Sequence, residues 1–396
     1  MLNKLTINDI EVASKTIFLR VDLNAPLDKS LNITDFTRIE AIEPTVKNLL
    51  DRGAKVCLFS HLGRPKNGFE EKFSLKNILS GLEKTLNIPV KFCSSLADSN
   101  YGKVVNSMND GELMLMENVR FYKEETENDI EFSRLLANPF DLYVNDAFGT
   151  CHRAHASTNG VAKNFDKTAC GFLISKEIEY LEKAVSSPDR PFTAIIGGAK
   201  VQDKIKVISN LLDKADKLLI GGGMAYTFLA YLGHTIGNSL NQLAESEEII
   251  KGILKKAETL NKEILLPVDH VIASEFAADA KNSISPIDIP DGKMGLDIGP
   301  ETIKKFSEII ALSKTVIWNG PMGVFEMPAF QKGTFAIAEK LAESSATTII
   351  GGGDSASAIN QSGLSDKISH ISTGGGACLE FLEGKPLPGI EVLSDK

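Results

Sequence analysis

Short β-rich runs alternate with helical patterns along the whole chain, and this rhythm constrains the fold more than any other feature of the sequence. Parallel strands need long crossovers, which are normally helices, so the alternation specifies parallel α/β units. At 396 residues the chain exceeds what one ordinary core serves, and two domains are expected. The stretch GFLISKEIEYLEKAVSSPDRP has helical spacing at Leu173, Ile178, Leu181 and Val185, then a polar Ser-Ser-Pro stop. It reads as a helix linking a first domain, 1–170, to a second that begins at 171.

The two halves end their strands differently. In the first half, TIFLRVDLNAP carries Arg20, Asp22 and Asn24, VCLFSHLGRP carries His61 and Arg64, and LMLMENVRF carries Arg120. LYVNDAFGTCHRAHAS adds Asn145, Asp146, His152, Arg153 and His155, and Arg38 opens the helical pattern TRIEAIEPTVKNLL. Ligands of open parallel sheets bind outside the carboxyl ends of the strands. Any one of these side chains could cap a helix or pair with an acid, and His155 reads as a satisfied buried histidine. Five arginines at one edge are not explained that way. Only eight arginines occur among 43 basic residues, and none lies beyond Arg190. The guanidinium fork suits bidentate recognition of carboxylate or phosphate, so an anion is expected in the first half.

In the second half the strand ends carry glycine: AIIGGAK, LLIGGGMAYTF, MGLDIGPET, VIWNGPMGVFE, TIIGGGDSASAI and HISTGGGACLEF. Glycine admits close backbone approach, and the helix N-terminus behind it offers N–H groups to phosphate. LLIGGGM also reads simply as a tight turn. GGGDSASA fits the loose pattern G-x-G-x-x-A, and Asp354 supplies the hard oxygen that Mg²⁺ prefers. In TAIIGGAKVQDKIKVISNLL, Lys200 and Lys204 fall at the expected start of a helix patterned by Val201, Ile205, Ile208 and Leu212. Cations are the wrong charge for that end. They are either two solvated lysines or partners of a polyanion, and the glycine turn beside them favours the polyanion. The P-loop pattern G-x-x-x-x-G-K-[ST] is absent.

Bulk composition narrows the class further. Apolar residues make up 43% and charged residues 24%, the proportions of a globular chain. A net charge of −9 argues against nucleic-acid binding. No apolar run is long enough to span a bilayer, and MLNKLTINDI lacks a signal-peptide profile. Five scattered cysteines without C-x-x-C suggest reduced thiols and a cytoplasmic protein. A Cys151–His152 nucleophile is disfavoured, because adjacency in sequence does not place a base on a thiol.

Taken in order and spacing, FLRVDLNAP, SHLGRP, ENVRF, NDAFGTCHRAHAS, GGAKVQDKI, GGGMAYTF, GLDIGP, WNGPMGVFE, GGGDSASA and STGGGACLEFLEGK resemble the phosphoglycerate kinase family over essentially the full length. The resemblance implies two doubly wound, Rossmann-like parallel-sheet domains joined by a hinge helix, with a tail of about 377–396 packing back on the first. It implies reversible phosphoryl transfer from 1,3-bisphosphoglycerate to ADP, giving 3-phosphoglycerate and ATP, by a monomer using Mg²⁺ with the nucleotide. It assigns the phosphoglycerate to Asp22, Asn24, Arg38, His61, Arg64, Arg120 and Arg153. The nucleotide falls to Lys200, Lys204 and the turn Gly352, Gly353, Asp354 and Ser355, with Asp354 on the metal side. Gly295 and Leu296 match an adenine pocket, Glu326 a ribose contact, and Gly374 to Gly376 a turn facing the transferring group. Arg38, Lys200, Gly353 and Gly375 would then be the catalytic set. Lys293 stands where the family often has tryptophan, and Cys151 where it often has alanine.

The acceptor in the ATP-consuming direction is a carboxylate, ionised near neutral pH, so the reaction needs no general base. It needs relief from anion–anion repulsion and alignment, which are the main sources of catalysis in phosphoryl transfer. The 171–186 helix and His370 to Gly376 are the expected hinges of a closing motion. Two alternatives stay open on the residues alone. A nicotinamide-dependent oxidoreductase would use the glycine turns but leave the arginines without a role. A non-catalytic nucleotide-binding protein would not need a separate site for a small acid.

Overall fold

β1 (Thr16–Arg20) and β2 (Lys55–Phe59) are buried over almost their full length, because helices cover both faces of the sheet they share. The computed structural model describes residues 3–96 and 100–396. With β3 (Val90–Cys93), β4 (Leu113–Met116), β5 (Leu142–Asn145) and β6 (Thr168–Cys170), these strands form a parallel sheet in the order β3-β4-β2-β1-β5-β6. The connections run outward on one side of β1 and then return to its other side at β5. The switch point therefore lies between β1 and β5. Leu19, Val21, Ile42, Val46, Leu58 and Leu115 belong to one buried cluster under the Thr37–Asp51 helix, and on the other face Phe18 stacks on Phe59 with centroids 3.6 Å apart.

A second six-stranded parallel sheet repeats this plan with β7 (Phe192–Ile196), β8 (Lys217–Ile220), β9 (Glu263–Leu265) and three later strands. Inserted between them in sequence is a three-stranded antiparallel sheet of β10 (Asp269–Ala273), β11 (Asn282–Pro286) and β12 (Met294–Ile298). The chain returns to the main sheet with β13 (Thr315–Asn319), β14 (Thr347–Gly351) and β15 (His370–Ile371), giving the order β15-β14-β13-β7-β8-β9. Its switch point lies between β7 and β13. Trp318, wholly buried, anchors the core here with Phe306, Ile350 and Ile337.

The fold class agrees with the sequence reading, and the antiparallel sheet is an addition to it. MGLDIGPET was read as one more parallel strand and turn. Its strand, β12, pairs antiparallel with β10 instead.

The chain divides into two units, Met1–Glu179 with Pro386–Lys396, and Tyr180–Lys385. The sequence boundaries at 170 and 376 differ from these for local reasons. The Phe172–Ser186 helix begins on the first unit, where Asp146 Oδ1 accepts the Ile174 N–H at 3.1 Å and Thr45 Oγ1 the Phe172 N–H at 2.9 Å. The Gly375–Leu382 helix, expected in the tail, lies in the second unit, where Asn210 Nδ2 donates to the Leu382 carbonyl at 2.6 Å. The true tail, from Pro386, is tied into the first unit. The Gly389 carbonyl accepts from Asn145 Nδ2 at 3.0 Å, and the Leu393 carbonyl from Lys4 Nζ at 2.8 Å.

Candidate active site

At the switch point of the first sheet, Arg20 ends β1 almost completely buried. Its Nε donates to Ser157 Oγ at 2.9 Å, and Ser157 Oγ in turn donates to the buried Glu125 Oε1 at 2.6 Å. A terminal nitrogen of Arg20 stands 3.3 Å from His61 Nδ1. A guanidinium can only donate, so Nδ1 accepts and the neutral ring carries its proton on Nε2. Burial holds the His61 pKa well below the ordinary histidine range; Arg20, Arg120 and Arg38 push the same way, and Asp22 opposes them. Burial raises the Asp22 carboxyl, but the Arg38 and Arg20 guanidiniums near it outweigh burial and hold it below its ordinary value. Asp22 is ion-paired with Arg38, the second residue of the Thr37–Asp51 helix. Asn24 Oδ1 accepts the Gly63 N–H at 2.8 Å, and Arg120 donates to the Gly63 carbonyl at 2.7 Å, so the two share one turn.

Arg64, Arg120 and Arg153 line an open cavity of about 890 Å³, with Lys66, Lys123 and His155 on its walls. Burial lowers the Arg120 pKa to about 10; Arg20, Arg153 and Arg64 add to the shift, against Glu125. Burial is the main cause, but the neighbouring guanidiniums that add to it leave a positive field at this cavity that an anion would offset. His155 is pushed down to about 4 by burial, with Arg120, Arg20 and Arg153 contributing. It lines the cavity as a neutral ring rather than lying wholly in the core. Cys151 is not a nucleophile: it is fully buried, and burial raises its thiol far above the reactive range.

In the second unit, three glycine turns interlock at the carboxyl ends of β7, β8 and β13. Gly198 N–H donates to the Pro321 carbonyl at 3.1 Å, and Gly222 N–H to the Met322 carbonyl at 3.0 Å. Gly222 has φ +66°, and a Cβ there would lie 2.6 Å from the Gly198 nitrogen. The tight-turn reading of LLIGGGM is thus part of the answer. The turns of β7 and β8 pack against the loop after β13, and together they form one wall of a cavity of about 620 Å³.

Gly295, Leu296, Glu326 and Asp354 all line that cavity, as do Tyr226, Met294 and Phe276. The register of β12 against β10 skips Leu296, a bulge that re-aims this stretch. A Cβ on Gly295 would run into the Tyr226 ring, so glycine is what leaves room for that aromatic wall.

The lysines are not where the helical spacing put them. The α-helix begins only at Ile205, after a short 3₁₀ turn, Gln202–Lys204. Glycine-led backbone continues past β7, leaving Lys200 exposed in the loop and Lys204 half-buried at the helix cap. Lys204 donates to Asn319 Oδ1. Burial lowers its pKa, opposed by Cys378, Asp354, Asp203 and Glu383. Beside it the Gly353–Ser362 helix starts from Gly352, at φ +92°, with no side-chain cap. Its first N–H groups are free of intrahelical partners. A Cβ on Gly353 would meet nothing, whereas one on Gly375 would lie 3.3 Å from the Gly353 nitrogen. Two helix N-termini therefore converge. Ser355 is buried and its hydroxyl accepts the Gly320 N–H at 2.6 Å, so what it can offer a ligand is its backbone N–H.

The sequence profile of the phosphoglycerate kinase family matches residues 7–385. The chain belongs to the phosphoglycerate kinase family. It is 52% identical over 394 residues to a cytosolic phosphoglycerate kinase of Nicotiana tabacum, covering 98% of each chain. To a phosphoglycerate kinase of Clostridium novyi it is 52% identical over 398 residues, covering 100% of each. The solved phosphoglycerate kinase of Coxiella burnetii superimposes with a TM-score of 0.90 at 40% identity, over 98% of both chains. The chain is thereby a phosphotransferase with a carboxyl group as acceptor, of the class that converts 1,3-bisphosphoglycerate and ADP to 3-phosphoglycerate and ATP in glycolysis.

Sequence reading missed two participants. Arg20 was noted at its strand end, yet nothing in its spacing says that it lies behind His61. Asn319 stood in plain view in VIWNGPMG. Its side-chain nitrogen is buried without a partner among the described residues, beside the Gly351–Gly352 turn.

Proposed function

We propose that the first unit holds the phosphoglycerate through Asp22, Asn24, Arg38, His61, Arg64, Arg120 and Arg153, and that the second holds ADP or ATP. In that reading the base lies between Gly295, Leu296 and the 321–327 loop, with Glu326 at the ribose. The phosphates lie at the starts of the Gly353–Ser362 and Gly375–Leu382 helices, between Lys200 and Lys204. The single observation that carries it is the segregation of charge chemistry. One cavity is walled by arginines and the other by glycine turns beside free helix ends, each at the switch-point end of a parallel sheet.

Transfer toward the acid proceeds by attack of a carboxylate oxygen of 3-phosphoglycerate on the γ-phosphorus. The new C–O–P bond forms as the bond from phosphorus to the β,γ-bridging oxygen breaks, and ADP leaves with that electron pair. No proton needs to move. Arg38 on the acid side and Lys200 on the nucleotide side offset the charge gathering on the transferring group. The helix N–H groups at Gly353 and Gly375 complete that field. His61, neutral with its proton on Nε2, donates to the acid without adding charge.

Magnesium enters with the nucleotide. Asp354, exposed at the second position of its helix, is the carboxylate suited to it, and one carboxylate plus phosphate oxygens is ordinary Mg²⁺ chemistry. The ion would neutralise phosphate charge. The protein works in the cytoplasm, a reading supported by five buried free thiols, and as a monomer, as the family resemblance implies. No described helix is long and apolar enough to cross a membrane.

Steady-state kinetics with ATP and 3-phosphoglycerate, coupled to consumption of the acyl phosphate, test the assignment. Turnover that needs both substrates, with intersecting initial-rate lines, is expected. An absence of turnover with this pair would overturn it.

A further inference from the structure

Asp297 is a fully buried carboxylate whose partners are backbone amides. It is 1% exposed. Its Oδ1 accepts the Ile298 N–H at 2.9 Å and its Oδ2 the Gly333 N–H at 2.6 Å. Among the described residues no lysine, arginine or histidine pairs with it. A buried charge without a counter-ion is expensive, so a chain that keeps one is using it for something.

Its position shows for what. Asp297 lies on β12, two residues after Gly295 and next to Leu296, both of which line the base cavity. A Cβ on Gly323, a cavity residue of the 321–327 loop, would run into the carboxylate, as would one on Gly333 at the start of the Lys332–Glu343 helix. Thr334, the next residue of that helix, accepts the Met322 and Gly323 N–H groups on its hydroxyl at 3.1 and 3.2 Å. The loop is further tied to β12 by the Val324 N–H donating to the Leu296 carbonyl at 2.9 Å. The carboxylate, lying just behind the cavity wall, thus ties β12 to the helix start, and the helix start and Leu296 tie in the loop.

We propose that Asp297 is the positioning residue of the base cavity: its Oδ2 holds the start of the Lys332–Glu343 helix against β12, and Thr334 of that helix in turn holds the 321–327 loop. The proposal rests on reading this cavity as the nucleotide site. Both oxygens receive N–H donors, so the ionised form is the one that fits. An amide nitrogen in place of either oxygen would face an N–H, donor against donor.

Burial pushes the carboxyl up to about 7, against its two amide donors. The titratable group facing it is the Tyr226 phenol, raised by burial and by Asp297 itself. No charged group of β10, of the loop or of the Lys332–Glu343 helix acts on it. Protonation near neutral pH then removes one accepting oxygen, as the amide does.

The test pairs Asp297→Asn with a pH series. KM for ADP and for ATP is expected to rise about tenfold in Asp297→Asn, from the loss of one buried acceptor, while KM for 3-phosphoglycerate stays put. Adenosine has no phosphate to titrate, so its binding to the unaltered protein, measured by calorimetry, isolates the cavity. Its affinity should fall from pH 8 to pH 6 in the unaltered protein and stay level in Asp297→Asn. An unchanged nucleotide KM in the variant would overturn the proposal. So would a flat adenosine profile in the unaltered protein, which decides the matter even if the variant does not fold. Failure of the functional reading looks different: the unaltered protein would not turn over ATP with 3-phosphoglycerate at all.

Discussion

Lys204 gives a hydrogen of its ammonium group to Asn319 Oδ1, and the amide nitrogen of Asn319 is left buried without a protein partner among the described residues. The pair stands where the glycine turn after β14 meets the start of the Gly353–Ser362 helix. An unpaired buried donor is unfavourable unless something is meant to accept from it. A phosphate oxygen at this helix end would do so. Asn319→Ala should therefore raise KM for ADP about tenfold and leave KM for 3-phosphoglycerate unchanged. Equal KM values for ADP in the two proteins would remove Asn319 from the site.

Lys200 differs from Lys204 in being exposed in its loop. Its removal should barely move the melting temperature. The charge matters when negative charge concentrates on the transferring group, so Lys200→Ala should lower kcat on the order of 100-fold. A variant with near-normal kcat would refute that role.

Arg153 donates to His152 Nε2 at 3.1 Å and faces the same cavity as Arg64 and Arg120. Lysine there keeps the charge and loses the fork. Arg153→Lys and Arg64→Lys should each raise KM for 3-phosphoglycerate by about tenfold, with ADP affinity by titration unmoved. Equal weakening toward both ligands would contradict the division between the two cavities.

Gly295→Ala asks whether the aromatic wall is a base contact. The added methyl collides with the Tyr226 ring and must displace it or β12. Overpacking of this kind is destabilising by about 1–3 kcal/mol, and the expected kinetic result is a raised KM for ADP and ATP alike. If melting temperature falls but nucleotide KM does not, the base lies elsewhere.

His270 supplies a pH prediction. It is fully buried beside Tyr226, ring centroids 5.2 Å apart, and burial takes its pKa down to about 4, with Asp269 opposing. Its pKa in the unfolded chain is about 6.5. Between these values the unfolded chain binds the extra proton, so stability falls as pH drops from 6.5 toward 4 and is fully present above 6.5. His270→Phe should escape up to about 3 kcal/mol of that loss. The gap in melting temperature between variant and parent should therefore widen in the variant's favour from pH 7.5 to pH 5. A constant gap would mean that His270 is not held neutral.

How far the sequence was legible depended on whether a feature repeats along the chain or arises from contact between distant segments. Period-driven features were readable: the Thr37–Asp51 helix with Arg38 at its start, the alternation of strand and helix, and the tails at strand ends. Arg64, Arg120 and Arg153 lie 56 and 33 residues apart, yet they line one cavity, because parallel strands bring their carboxyl ends to one edge whatever the spacing. The start of the helix after Lys200 was misjudged, because apolar spacing at Val201 continues into the 3₁₀ turn without distinguishing it from the helix. The antiparallel sheet went unseen, since a strand carries no mark of its partner's direction.

By itself, then, the sequence determined the family, the two parallel sheets and which residue types each half would offer to a ligand. These follow from local periodicity and from side-chain chemistry, both written residue by residue. Tertiary structure alone decided that Arg20 fixes the proton of His61, that the Asn319 amide nitrogen is buried without a partner among the described residues, and that Asp297 ties β12 to the Lys332–Glu343 helix. Each depends on which atoms of separate segments meet in a buried place. There a missing partner or an extra charge is worth far more than it is in water.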